Sequence, residues 1–374
     1  MAAVGATGGL AAACGSDGEP VDQPKSGQTV RVGLVLPSAG PFARIAGDIR
    51  RGFDLYLQRS EGLLGPHTAD VIAADEGTTA ASALEAVTSL LEQRVVAIAG
   101  VTNPDALADI GNALLQAQVP LVSSNAAPST LTNALFIWRA SCVLGDAGRA
   151  IVSHGKSLGT KAYVFSDEST TGRAEAAAFR AAFQDAQGVI LGESTGTADL
   201  ASRLQQAKTQ GANLIFAAYA GEDAKAMLDA YRESGLTVKL LGPAALTDTV
   251  DLAADQLPAN VYTAMFYASN LPNDANSRFV SSYYQRYGSQ PTGYATAGYD
   301  SAGVLASAFA LLPGAPTGAT VNQAFSKLGQ IDSPRGAWAF NINRSPQQRW
   351  YLRRLQLDGA VPANLLDADL AVQG

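Results

Sequence analysis

Two short segments have the residue types and spacing of reactive loops. Ala150-Ile151-Val152-Ser153-His154-Gly155-Lys156-Ser157 has the loose form of a phosphate cradle, in which backbone N–H groups and a lysine hold the phosphates. Gly192-Glu193-Ser194-Thr195-Gly196 has the form of a nucleophile elbow, a sharp turn that lifts a serine hydroxyl between a strand and a helix. Neither is completed by its surroundings. The first lies in a helical stretch beginning near Asp146, with Ile151 and His154 at helical spacing and Gly155 as the expected helix breaker, whereas a phosphate cradle needs a strand before it. The second reads as a strand-to-helix turn with Asp199 near the helix start; a hydrolase of that kind places its histidine after the serine, and no histidine follows His154. No Gly-x-Gly-x-x-Gly follows a predicted strand, which leaves a dinucleotide site without support.

Composition narrows the field further. At 374 residues the chain is two to three times a common domain, so two domains are expected. Hydrophobic residues make up 47% and charged residues 16%, too apolar and too weakly charged for a disordered chain. The formal charge of -7 provides no basic stripe for phosphates, so nucleic acid is not an expected partner. Two cysteines, Cys14 and Cys142, and two histidines, His67 and His154, are too few for a transition-metal centre. No metal, cofactor or internal disulfide is expected. His67, before a strand, and His154, within a helix, read as surface groups, and Cys142 as a small buried hydrophobe.

The elements that would position a site repeat in one order. Thr29–Leu36 is a predicted strand ended by Pro37, and 43–61 a helix with Ile45, Ile49, Phe53 and Leu57 on one face. Strands at 69–75, 95–101 and 119–123 then alternate with helices at 79–93 and 105–118. A second series follows Arg139: helix 146–158, strand 161–166, helix 172–186, strand 189–191, helix 198–210, strand 213–218, helix 222–234 and strand 238–241. Helices return at 276–287 and 298–312, and 338–357 alternates as antiparallel strands do. Two α/β halves built on parallel sheets are expected, with no long linker between them. Ligands of such sheets sit beyond the carboxyl ends of the strands, so two facing lobes would form a cleft there.

The N-terminus carries a different signal. Residues 1–13 are uncharged and small, and Leu10-Ala11-Ala12-Ala13-Cys14-Gly15-Ser16 resembles the end of a bacterial lipoprotein signal peptide, in which the cysteine is acylated. The polar stretch that follows, with Pro20, Pro24 and Gly27, reads as a tether, so residues 1–28 form the expected signal and tether.

From Thr29 to Gly359 the chain resembles the leucine/isoleucine/valine-binding protein family, the type I periplasmic binding proteins of ABC importers. The resemblance rests on Val32-Gly33-Leu34-Val35-Leu36-Pro37, Ala39-Gly40-Pro41-Phe42-Ala43, Asp75-Glu76-Gly77, Val119-Pro120-Leu121-Val122-Ser123, Leu241-Gly242-Pro243, Tyr299-Asp300-Ser301 and Ser333-Pro334-Arg335-Gly336. It implies an α/β fold of two Rossmann-like lobes with parallel central sheets, 29–140 plus 265–334 and 141–264 plus 335–374. They would be joined by three crossovers near Arg139-Ala140, Tyr262 to Phe266 and Ser333 to Gly336. It further implies no enzymatic activity, and hinge closure on a small amino-acid-like or organic-acid solute that ABC permease and ATPase subunits take up. The protein would be a monomer, held by lipid at Cys14 on the outer face of the cytoplasmic membrane. Two other readings remain: a ligand-sensing subunit of the same fold partnering a signalling protein, and a secreted hydrolase using Ser194.

The family's solute contacts map onto this chain with substitutions. A carboxylate-binding hydroxyl falls at Pro104, where Thr102 or Asn103 would have to replace it, and further contacts fall at Asn125, Ala126 and Ala127. In the second lobe an aromatic corresponds to Thr171, the ammonium-binding acid to Ala244 with Asp248 four residues on, and further aromatics to Tyr219 and Tyr294. Arg44 and Ile45 belong to a loop that faces the cleft in relatives, and Arg44 has the fork to grip a carboxylate.

Overall fold

The structure, a computed structural model, describes residues 27–131, 134–312 and 314–373; Cys14 and its leader lie outside them. The last five residues of β1 (Thr29–Leu36) are all buried, as a strand in mid-sheet requires. With β2 (Leu63–Leu64), β3 (His67–Asp75), β4 (Ala97–Gly100), β5 (Leu121–Ser123) and β6 (Ile137–Arg139) it forms a sheet ordered β2-β3-β1-β4-β5-β6. Every pairing is parallel except that of β2 with β3. The second sheet contains β7 (Lys161–Ser166), β8 (Val189–Thr195), β9 (Leu214–Ala218), β10 (Lys239–Pro243), β11 (Val261–Met265), β12 (Ala339–Phe340) and β13 (Pro346–Asp358), ordered β12-β13-β11-β10-β9-β7-β8. β14 (Val361–Gln373) pairs antiparallel with β13.

Helices cover the sheets: α1 (Ala43–Arg59), α2 (Ala80–Glu92), α3 (Leu107–Ala117), α4 (Asp146–Leu158), α5 (Thr170–Asp185), α6 (Leu200–Thr209), α7 (Gly221–Glu233), α8 (Ala245–Asp248), α9 (Asp274–Tyr287), α10 (Gly293–Ala310) and α11 (Gly318–Phe325). α1 buries Ile45, Ile49 and Phe53 on one stripe and packs on α10 backbone to backbone. A Cβ on Gly52 would stand 1.8 Å from the Ala295 carbonyl oxygen, and one on Gly298 2.0 Å from that of Ile49, so only glycine fits at either point. The chain leaves the first sheet between β6 and α4, returns between β11 and α9, and crosses again after α11. The expected two α/β lobes and three crossovers are therefore present.

The local differences have identifiable causes. α10 begins at Gly293, not Gly298, because the Thr292 hydroxyl accepts the Ala295 N–H at 3.2 Å and caps a helix that starts inside a turn-like sequence. β8 runs on to Thr195, so Ser194 pairs opposite Phe165 inside a strand and stands on no elbow. The phosphate-loop-like segment is interior to α4, which continues past Gly155 to Leu158. β14 escapes the sequence reading because Pro362, Asn364, Asp367 and Asp369 break the apolar alternation of a strand that is largely uncovered. His67 is a correction: it is 3% exposed, covered edge-on by Phe309 with ring centres 5.9 Å apart. Cys142 is buried as expected, and burial pushes its thiol pKa up.

One buried side chain touches all three crossovers. Arg335 is 2% exposed; its Nη2 donates to the Ala140 carbonyl at 2.7 Å and its Nη1 to the Ser141 carbonyl and the Gln348 amide oxygen. Its Nε pairs with the Asp300 carboxylate of α10 at 2.9 Å. The guanidinium carbon lies 4.6 Å from the ring centre of Phe266 and 4.2 Å from that of Trp338. Burial pushes the Asp300 acid up to about 6, with Arg335 pulling against it. Elsewhere Glu175 of α5 lies under the start of α4, accepting the Gly145 N–H at 2.9 Å and the Gly148 N–H at 2.7 Å. Its burial pushes the acid up to about 7 despite those bonds.

Two outcomes follow for stability. Arg335→Ala would take away the buried cation that faces Asp300 and the donors that hold the Ala140 and Ser141 carbonyls; urea denaturation should read a loss of about 3–5 kcal/mol. Because the folded-state pKa of Glu175 lies above the unfolded value, its share of stability is full below that unfolded value and is lost as pH rises through about 7. Unfolding measured from pH 4 to 8 should therefore fall on the order of 3 kcal/mol more steeply for the native chain than for Glu175→Gln.

Candidate functional site

A cavity of about 1170 Å³ lies between the two lobes at the carboxyl ends of both sheets. Phe42 and Arg44 reach it from the turn after β1, Asn103 and Asp105 from after β4, and Asn125 and Ala126 from after β5. From the other lobe come Asp167, Glu168 and Thr171 after β7, Tyr219 to Asp223 after β9, and Pro243 to Ala245 after β10. Met265, Tyr294 and Trp350 close the back. Strands that end together, each followed by a helix start, account for this placement.

Arg44, Ile45, Asn103, Asn125, Ala126, Thr171, Tyr219 and Tyr294 all line the cavity. Burial raises the phenol pKa of both Tyr219 and Tyr294, and the Tyr219 hydroxyl donates to the Gly196 carbonyl at 2.8 Å. Three sequence candidates lie off the wall. Thr102 is 1% exposed, its hydroxyl donating to the Glu76 carboxylate at 2.8 Å. Ala127 is bound into the first crossover, its N–H to the Cys142 carbonyl at 3.1 Å and its carbonyl to the Leu144 N–H at 2.9 Å. Asp248 is spent inside the second lobe: Oδ2 accepts from Arg353 at 3.0 Å and Oδ1 from Asn364 at 2.7 Å. Arg353 and Asn364 arrive on the terminal hairpin, far along the chain.

The polar groups of the first lobe are also engaged. Glu76 accepts the N–H groups of Thr102 and Asn103, the latter at 2.7 Å, and Asn103 Oδ1 accepts the Asp105 N–H at 3.0 Å. Arg44 reaches across the cleft, its Nη1 2.7 Å from Asp251 and its Nε donating to the Asp248 carbonyl at 3.1 Å. It is thus a cross-lobe tie in this state, made through Nε and Nη1. Asp167, Glu168, Glu222 and Asp223 were not singled out from sequence, although the same strand-end rule that selected Tyr219 points to them. Trp350 was beyond sequence reading, since it comes from an antiparallel strand of the last crossover. Among the described residues no group of three His, Cys, Asp or Glu side chains is arranged to hold a metal ion, and no helix is long and apolar enough to cross a membrane.

Comparison with known proteins agrees with this architecture. The family model described as periplasmic binding protein matches residues 29–360. Leu/Ile/Val-binding protein homolog 6 of Brucella melitensis biotype 1 is 30% identical over 265 residues, 67% of this chain and 67% of that protein. A solute binding protein of an ABC transporter from Rhodopseudomonas palustris BisB5, in complex with 3,4-dihydroxy benzoic acid, superposes with a TM-score of 0.82 at 24% identity, covering 92% of this chain and 98% of that one. An ABC transporter substrate-binding protein from Sphaerobacter thermophilus gives 0.81 at 25% identity over 91% and 97%. The isoleucine complex of LivJ from Streptococcus pneumoniae gives 0.78 at 18% identity over 92% and 100%. With the match running from β1 into the terminal hairpin, the chain belongs to the periplasmic binding protein family.

Proposed function

We propose that the protein is the extracytoplasmic solute-binding component of an ABC importer, carrying a small amino-acid-like or organic-acid solute to the permease. The observation that carries this reading is the cavity between two lobes whose chain crossings are gathered at one buried residue. Residues 29–140 with 265–334 would close on 141–264 with 335–374 as two bodies, the crossovers acting as the hinge. The cross-cleft pair of Arg44 with Asp251 is half-exposed at one end and 93% exposed at the other, so it is worth at most about 1 kcal/mol and leaves such motion cheap. Binding would involve no covalent step. The solved neighbours support the role: they include ABC transporter binding proteins holding benzoate or isoleucine.

Residues 1–28 would serve as signal and tether, with Cys14 as the point of lipid attachment. One acyl chain holds a protein only marginally, whereas two or three hold it firmly.

A thermal-shift screen of the chain against amino acids and aromatic acids tests the role directly. A true solute at about 100 times its dissociation constant adds about 2.7 kcal/mol of stability, and small-angle scattering should record compaction. Tyr219→Ala should weaken the hit more than about tenfold, roughly 1.4 kcal/mol; unchanged affinity removes Tyr219 from the site. Expressed in a bacterial host, the native chain should partition with membranes and incorporate labelled palmitate. Cys14→Ser should release it and abolish the label.

A further inference from the structure

The back of the cleft holds a buried donor with no acceptor. Trp350 is 1% exposed and lines the cavity, and its indole N–H has no hydrogen-bond partner among the described residues. A buried donor in that state costs about as much as a lost hydrogen bond, so buried indoles are as a rule partnered. The other two tryptophans conform: Trp138 donates to the Asn322 amide oxygen at 2.7 Å, and Trp338 stands beside the Asp300 carboxylate. Other buried side chains with an unpartnered nitrogen, His67 and Arg353 among them, are not on the cavity wall. Among the described residues Trp350 alone combines the two conditions.

The position of this indole is built into the fold. The β13–β14 register shifts between Gln348 and Trp350, an irregularity of the kind that re-aims a side chain. Phe266 then meets the indole edge-on, ring centres 6.0 Å apart, while its face carries the Arg335 guanidinium at 4.6 Å. The joint of the crossovers therefore also fixes the donor. Its surroundings on the wall are apolar. β13 pairs Tyr351 with Met265 and Leu352 with Ala264, β10 sets Pro243 beside Ala264, and Met265, Ala264 and Pro243 all line the cavity. Tyr294 closes the back with Trp350; burial first, then the Asp248 charge, pushes that phenol well above its ordinary range. A recess that resists a phenolate resists a carboxylate for the same reason.

We infer that Trp350 determines specificity: its indole N–H donates to an uncharged oxygen, a carbonyl or hydroxyl, on the apolar end of the solute. This rests on the solute-binding reading above and names the group that lies at the back of the cleft. An apolar end without that oxygen would leave the donor buried and unpaired, the arrangement by which a site rejects an analogue lacking one hydrogen-bonding group. The Tyr294 hydroxyl, kept protonated by burial, adds a second uncharged polar group there.

The test is isothermal calorimetry on the full chain with pairs of compounds in which an oxygen is exchanged for a methyl group. They are 4-acetylbenzoate with 4-isopropylbenzoate, 4-hydroxybenzoate with 4-methylbenzoate, and tyrosine with 4-methylphenylalanine. At least one oxygen-bearing member should bind more than about tenfold tighter than its partner. Trp350→Phe keeps an aromatic ring and loses the N–H, so the ratio within that pair should collapse; packing damage alone would weaken both members and keep the ratio. The native chain gives an independent reading. In proton–nitrogen NMR the Trp350 indole resonance should move downfield with the oxygen-bearing member and not with its partner. Three results overturn the inference and leave the solute-binding reading intact: a ratio unchanged by Trp350→Phe, methyl members that bind as tightly as their partners in every pair, or an indole resonance that stays in place while the oxygen-bearing member binds. No binding of any of these compounds overturns the inference as well, and failure of the wider thermal-shift screen in addition overturns the solute-binding reading.

Discussion

The two lobes depend on one guanidinium in the interior. Three irregular crossovers pass through the middle of the molecule, where carbonyls without partners cost as much as lost hydrogen bonds. Arg335 answers that need with a rigid fork of donors, reaching Ala140 and Ser141 of the first crossover and Gln348 beyond the third. Its flat faces pack between Phe266 of the second crossover and Trp338 of the third. A lysine could supply the charge but neither the fork nor the planar faces. Asp300 neutralises the charge from α10, so the joint is tied to the core of the first lobe as well.

The first-lobe wall of the cleft is built around a comparable internal ligand. Gly100 has φ +103, and a Cβ there would stand 2.2 Å from the Val35 carbonyl oxygen; Val101 follows with φ 57, a conformation that costs a branched residue on the order of 1–3 kcal/mol. The strained turn persists because its next N–H groups converge on the Glu76 carboxylate. The same convergence would suit the carboxylate of a solute. In this chain the nest is filled from inside by Glu76.

Much of this was legible in the sequence. Apolar runs alternating with amphipathic stretches specify the strand–helix order, because periods of two and 3.6 are local properties of the backbone. Chain order then constrains parallel strands to right-handed connections and puts ligands beyond their carboxyl ends, which is why Arg44, Asn103, Asn125, Thr171, Tyr219 and Tyr294 reach one cavity. Errors arose where a short segment answered to something distant. Gly192 to Thr195 became strand because β7 pairs along them, and His67 is covered by Phe309.

Charge pairing was the part that only tertiary structure decided. Asp248 has the right spacing to receive an ammonium group, yet Arg353 and Asn364 from the terminal hairpin claim both its oxygens. Arg44 is engaged across the cleft by a residue more than 200 positions away, and Thr102 by Glu76. Spacing along the chain determines which side chains arrive at the cleft, since that follows from local periodicity and strand order. Which of them remain free to bind is set by partners from remote segments, because a hydrogen bond or ion pair acts over about 3 Å and carries no mark of its partner in the local sequence.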